Sequence, residues 1–538
     1  MNANRVLTFS TTVSLAVMFT AASARAQSPV DFAPPGVIAI ELTADRDYDN
    51  PFWDATVAVE ATAPSGRTQR VEAFWDGGRT WRARWRGDES GDWTWHARTE
   101  DGADAGLNAT GRIEHGDVRP PRMLLVSDDG THLVDDAGEP FFWLADTAWN
   151  GALRSTGDDW NEYLATRAQQ RFTAIQFVTT QWRGGDKILD RHAYAGTERI
   201  TIDPQAFVDL DAKFAAVVEH GLRPAPVMLW ALTETDPGRA LAEADAIRLA
   251  RYELARWGAL APVWFVGGDG RFLEDVPRWQ RIGRETFADA PEQLATLHPS
   301  GRTWVGDAFG QEEWFDFLGY QSGHGDSDDD LKWLAFGPPT QWQKLGKPVI
   351  NLEPNYEGHP AYQSGRLHDA HAVRRAAYWS MLVSPPAGVT YGNNETWCWN
   401  LETADAENHG NLRQIRPWRD GVQTEGIENM TRLRDFFETG PWPELRPAQQ
   451  HLAEQPGDDD PHNFIAIGQT PDDKWTVANL PTGGSVSLTI DLAGKQVDWF
   501  NPRTGESQPA AQAPGRGSDT FTAPDDNDWL LSIRKSSE

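Results

Sequence analysis

The chain has 538 residues, a formal net charge of −30, and 39% hydrophobic residues that include 26 Trp, 23 Phe and 9 Tyr. That length exceeds one ordinary domain and the aromatic content supplies bulk for more than one core. The acidic balance excludes a polyanion such as nucleic acid as a partner, and the single cysteine, Cys398, excludes an intramolecular disulfide and any multi-cysteine metal site.

The first residues read as an export signal. Arg5 gives a basic start, and Thr8 to Ala22 is an apolar stretch too short, and too interrupted by Ser and Thr, to span a bilayer. Ala24-Arg25-Ala26 then offers a small-x-small cleavage site. Residues 1–26 are therefore expected to be removed after Ala26, leaving a secreted or periplasmic protein with no membrane attachment. The sequence is silent on oligomeric state.

Residues 34–118 read as an N-terminal β-sandwich module. Arg79 to Arg86 alternates strictly, with Trp81, Ala83 and Trp85 on one face and Arg82, Arg84 and Arg86 on the other. After a turn, Trp93, Trp95 and Ala97 repeat the pattern, so a hairpin with one buried face is expected, its Trp residues filling a core rather than stacking on sugar. Arg119-Pro120-Pro121-Arg122 reads as a linker.

Residues 123–440 change to short apolar runs alternating with helical patterns. The expected strands are Phe141–Ala145, Ala174–Val178, Ala225–Leu229, Val263–Val266, Gln293–Leu297, Phe315–Gly319, Val349–Leu352 and Gly388–Tyr391. Asp158–Arg171 and Ala240–Trp257 carry apolar residues at helical spacing, and Thr156 before Asp158 and Asp159 makes a helix start. Eight such units in this span predict an α/β fold of the (β/α)₈ TIM-barrel type. A doubly wound open sheet is the competing architecture, and the Gly-rich phosphate loop it favours does not follow the first strand. Residues 445–538 return to short strands, among them Trp475 to Leu480, Val486 to Leu492 and Val497 to Phe500, and predict a C-terminal β-sandwich. Asp328-Asp329-Asp330 and Asp458-Asp459-Asp460 read as solvated loops, since neither has calcium-ligand spacing.

Two runs end in a carboxylate. Pro262 to Gly268 stops at Asp269 and Pro348 to Leu352 stops at Glu353, the fourth and seventh strands of the expected barrel. Catalysis in such barrels is built at the C-terminal ends of the strands, and two carboxylates there are the minimum apparatus for breaking a glycosidic bond. Asp269 is assigned as general acid/base and Glu353 as nucleophile of a retaining reaction, which requires Asp269 to keep a proton through burial or the nearby charge of Glu353. Glu357, Glu274 and Asp275 are secondary candidates.

Other strand ends offer groups that bind sugar hydroxyls or cover sugar C–H surfaces. They are Asp146 and Trp149, Gln181 and Trp182, Trp230, His298, Tyr320, Gln321 and His324, Asn355 and Tyr356, and Trp397. No HExxH or comparable spacing appears, so neither metal nor cofactor is expected, and no G-x-S-x-G elbow supports a serine hydrolase.

The segments Phe141 to Trp149 (FFWLADTAW), Gly267-Gly268-Asp269 and Asn351 to Gly358 (NLEPNYEG) resemble the apiosidase-like glycoside hydrolases. Phe74 to Gly78 and Gly91 to Trp95 resemble the module that often precedes that barrel, and Trp499 to Gly505 is similar to a collagen-binding-type β module. The resemblance covers nearly all of the mature chain. It implies a (β/α)₈ hydrolase acting on plant or algal polysaccharide side chains, as an apiosidase or another furanosidase or pyranosidase. The family's acid after strand four then falls on Asp269 and its acid after strand seven on Glu353. A barrel that only binds carbohydrate, and a polysaccharide lyase, are the alternatives.

Overall fold

The structure, a computed structural model, describes residues 34–410, 412, 414–511 and 519–535; the expected signal at 1–26 lies outside the described residues. The fold is mixed α/β, with a parallel eight-stranded sheet between two antiparallel β modules.

The N-terminal module is one antiparallel sheet in the order Val37–Thr43, Thr80–Arg86, Thr68–Trp75, Val57–Thr62, Gly91–Thr99, Thr110–His115. The expected hairpin face is buried: Trp81, Trp85, Trp93, Trp95, Ala83 and Ala97 share one core with Ile38, Ile40, Val57 and Val59. The Trp ladder is thus packing, not a sugar platform. The opposite face is not left to solvent. Arg84 is buried against the barrel, its guanidinium paired with Asp211 at 2.7 Å, while Arg256 holds the other Asp211 oxygen at 2.8 Å.

The eight parallel strands are Trp143–Thr147, Ala174–Val178, Arg223–Trp230, Trp264–Gly270, Ala295–Pro299, Leu318–Tyr320, Val349–Asn351 and Gly388–Tyr391. Numbered one to eight along the chain, they lie in the order 5-4-3-2-1-8-7-6, so each is next to its sequence neighbour, as in a TIM barrel. Strands five and six, the two ends of that order, are joined by isolated bonds rather than a ladder. Asp316 N–H donates to Ala295 O at 2.9 Å, and the Thr296 hydroxyl donates to Phe317 O at 2.6 Å and accepts from Gly319 N–H at 3.1 Å. Inside the ring the indole of Trp143 lies against Phe265 and Phe317 and donates to Thr390 Oγ1 at 3.0 Å. Thr390 donates in turn to Gln176, whose amide reaches Leu352 O at 3.1 Å.

Long helices follow six of the first seven strands and the eighth. The exception is strand five, followed by the four-residue turn Gly306–Phe309. Gly157–Gln169 begins as expected, with Thr156 Oγ1 accepting from Asp159 N–H. Asp328, Asp329 and Asp330 form the first turn of the helix Asp328–Phe336 rather than a loop; Ser327 and Asp330 make a capping box, and acids at a helix N-terminus are favoured by its partial positive charge. A small sheet of Leu124–Val126, Leu133–Asp135 and Pro140–Phe141, not anticipated from the sequence, leads into strand one. The C-terminal module has a six-stranded antiparallel sheet and a separate two-stranded one, Ser485–Ser487 with Thr520–Thr522, around one core, and it docks to the central domain through buried Arg374 and Asp528 at 2.7 Å. Among the described residues, no helix is long and apolar enough to cross a membrane.

Candidate active site

Strand four does not end regularly. Its register with strand five shifts between Phe265 and Gly268 and again between Gly268 and Gly270, and Asp269 sits at φ +47°. An irregularity of this kind re-aims a side chain that strict alternation would fix. The flanking glycines are demanded by packing: a Cβ on Gly267 would come within 2.6 Å of the Phe272 ring, and one on Gly268 within 2.5 Å of Val227 and 2.7 Å of Trp230. Strand seven delivers Glu353 from the run Val349–Asn351.

Asp269 and Glu353 both line a cavity of about 770 Å³, within the size range of small-molecule sites. Burial holds the Asp269 carboxyl well above the usual carboxylate range, the charge of Glu353 pushes it the same way, and Arg183, with Nη2 3.8 Å from Oδ2, opposes. Burial also raises Glu353, with His298 opposing. Two carboxyls that each resist ionisation in the presence of the other favour a state with one proton between them.

Glu353 is hydrogen-bonded to one histidine and lies beside a second. His324 Nε2 lies 2.9 Å from Oε1 and His298 Nε2 3.4 Å from Oε2. His298 is fully buried, edge-on to Trp149 at 5.2 Å. His324 stacks on His359 with ring centroids 4.1 Å apart, and burial pushes its pKa down to about 3, so it is a neutral ring at ordinary pH.

Eight of the other expected residues join this site. Trp149, Trp182, Trp230, Gln321, His324, Tyr356 and Trp397 line the cavity, and His298 touches Glu353. The Trp182 indole donates to Asn150 Oδ1 at 2.8 Å and lies 4.4 Å from the Trp230 ring, so its plane is fixed. Four expected residues are placed elsewhere. Asp146 is fully buried in an ion pair with Arg167 at 2.5 Å, and Tyr320 lies between Trp304 and Trp333. Both follow from alternation: Trp143 and Phe317 point into the ring, so Asp146 and Tyr320, three residues on, point out to the helices. Gln181 braces the backbone of Ala193 and Tyr194, and Asn355 donates to Gly323 O at 2.9 Å; each satisfies loop backbone groups instead of facing the cavity.

The secondary acids are also engaged in structure. Glu357 accepts from Tyr391, Thr424 and Gly426, Glu274 pairs with Arg239 on the surface, and Asp275 caps the helix Val276–Phe287. The structure adds Arg183, His359, Tyr362 and His409 to the cavity wall. Arg183 directly follows Trp182 and could have been found by extending that strand-end motif; the others come from long loops with no periodic signal. Among the described residues, no group of three or more His, Cys, Asp or Glu side chains could hold a metal ion.

Three family models match stretches of the chain. Residues 127–444 match the family described as apiosidase-like, catalytic domain. Residues 36–100 match a domain of unknown function, and residues 447–534 a family named for collagen binding in a collagenase. A solved structure titled glycoside hydrolase is 23% identical, covers 77% of this chain and 97% of its own, and superposes with a TM-score of 0.64. A glycoside hydrolase family 5 protein from Bacteroides vulgatus ATCC 8482 is 22% identical over 77% of this chain and 94% of its own, with a TM-score of 0.66. A further structure from that organism is 15% identical, covers 93% of this chain and 98% of its own, and has a TM-score of 0.68. At such identities these relatives speak for the fold. No curated protein matches this chain. The family match spans more than half of the 538 residues: this chain belongs to the apiosidase-like family and is a glycosidase.

Proposed function

We propose that the protein is an exported hydrolase that cleaves a glycosidic bond in plant or algal polysaccharide side chains by a retaining, two-carboxylate mechanism. In this reading the parallel sheet is a complete (β/α)₈ barrel and both flanking modules are sandwiches. The supporting observation is that Asp269 and Glu353 share one cavity and that burial and the charge of Glu353 both favour the protonated form of Asp269. A protonated Asp269 can give its proton to the departing oxygen while ionised Glu353 attacks the anomeric carbon; Asp269 then takes a proton from the water that releases the sugar. His324 orients the nucleophile, His298 packs beside it, and Trp149, Trp182 and Trp230 offer apolar faces to the sugar ring.

The test is a screen of purified protein against pectic, hemicellulosic and algal glycans, with released sugars identified and the first-formed anomer followed by NMR. Release of a sugar with retained configuration is expected, and Asp269→Asn and Glu353→Gln should each lower it by roughly 10³-fold or more. Full activity in either variant removes the assignment, and an inverted first product removes the nucleophile.

A further inference from the structure

Tyr362 lies on the cavity rim with 65% of its surface exposed, the most exposed large apolar side chain among the described residues. Solvent-exposed aromatic rings are otherwise scarce there: Phe336, at 42%, lies against Phe464 with ring centroids 4.7 Å apart.

Its exposure is not that of a loose loop. Tyr362 N–H donates to His324 O at 3.1 Å, Ala361 N–H to Arg366 O at 2.8 Å and Gly365 N–H to Ala361 O at 2.9 Å, and Pro360 bridges to Leu367. The tight return at Gly365 uses φ +68°. The ring stands edge-on to His324 and His359, each with centroids 5.7 Å away and planes near perpendicular. These contacts fix the plane of the phenol ring while about two thirds of the residue stays open at the rim, beside the same His324 that contacts Glu353.

Depth separates this ring from the other aromatics of the site. Trp149 and Trp230 are nearly inaccessible and lie with His298 beside Glu353; a sugar under attack by Glu353 sits there. Whatever is attached to that sugar runs outward, past the rim. A ring fixed and open at the rim offers the apolar C–H surface of a second sugar what the Trp residues offer the first.

We propose that Tyr362 is the platform for the leaving-group sugar and makes the enzyme selective for a glycosidic bond between two sugars over a small leaving group. The proposal rests on the hydrolase reading above. Tyr362→Ala and Tyr362→Phe are compared with the parent on an oligosaccharide of the glycan that yields sugar in the screen and on the glycosyl fluoride of that sugar, whose leaving group is too small to reach the ring. Tyr362→Ala is expected to lose about five- to ten-fold more in kcat/KM on the oligosaccharide than on the fluoride, with Tyr362→Phe keeping the parent's ratio between the two. Equal losses on both substrates, or none on either, overturn it.

Calorimetry on the Glu353→Gln protein, with pectic, hemicellulosic and algal oligosaccharides and their component monosaccharides as probes, reads the same contact without turnover. Oligosaccharides should bind more tightly than monosaccharides, and Tyr362→Ala should remove that margin; an unchanged margin, or none to begin with, overturns the proposal. Absence of any sugar or fluoride release by the parent is a separate result, which counts against the hydrolase reading.

Discussion

The backbone N–H of Tyr356 donates to Nδ1 of His324 at 3.3 Å. An amide can only donate, so Nδ1 of this neutral ring is the acceptor and Nε2 carries the proton, pointed at Oε1 of Glu353 2.9 Å away. The loop after strand seven therefore sets the tautomer of a histidine that steadies the carboxylate at the end of the same strand.

His324→Ala should accordingly impair turnover through Glu353. Losing a hydrogen bond to a charged group costs about 1.5–3 kcal/mol, or roughly 10- to 150-fold in kcat. Without the donor, Glu353 holds its proton to higher pH, so the acid limb of the kcat/KM profile should move up. His324→Gln, which can present an N–H in a similar place, should recover part of both. A profile unchanged in position would mean that the ring is packing only.

Arg183 and Glu353 pull Asp269 in opposite directions. With Asp269 acting as the acid, its pKa sets the alkaline limb. Arg183→Gln removes the opposing positive charge, so the limb should shift to higher pH; Glu353→Gln removes the repelling negative charge, so the Asp269 carboxyl should titrate lower. The first is read from a pH–rate profile and the second from NMR of labelled aspartate.

Asp211 joins the N-terminal module to the barrel, and Arg84 and Arg256 hold its pKa down to about 2 despite burial. A depressed carboxylate stabilises the fold above its unfolded pKa, so this contribution is complete above about pH 4 and is lost as pH falls towards 2. Asp211→Ala leaves two buried guanidinium groups without their shared partner and should cost about 3–5 kcal/mol at neutral pH, with a smaller difference from the parent in acid. Calorimetric Tm values across that range check both statements.

Gly268→Ala would drive a methyl into Val227 and the Trp230 ring. Overpacking of this order costs about 1–3 kcal/mol, and because Trp230 lines the cavity, kcat/KM should fall together with Tm. A variant with normal activity and Tm would show that strand four can yield without disturbing the sugar-facing wall.

All eight parallel strands were legible as apolar runs, since a parallel sheet buried on both faces writes itself as short Val/Ile/Phe/Leu stretches. The same continuity hid side-chain direction. Asp146, Tyr320 and Gln321 all stand at strand ends, and only parity counted from an inward ring such as Trp143 or Phe317 tells which face the cavity. Arg84 stands on the face opposite the Trp ladder, and alternation within one sheet carries no sign of what docks there. His359, Tyr362 and His409 belong to loops, where hydrogen bonds such as that from Tyr362 N–H to His324 O decide position and leave no periodic trace.

The line between strands five and six carries a mechanical implication. Asp269 stands on strand four and Glu353 on strand seven, so the way from one to the other through strands five and six crosses this line, where the Asp316–Ala295 bonds and the Thr296 hydroxyl stand in for the ladders of the other seven junctions. The ring is a split collar, and its clasp lies between the two acids. Slackening the clasp would change the gap across which a proton donor and a nucleophile must close on one bond, so a hydroxyl that bonds to neither acid helps to gauge the distance between them.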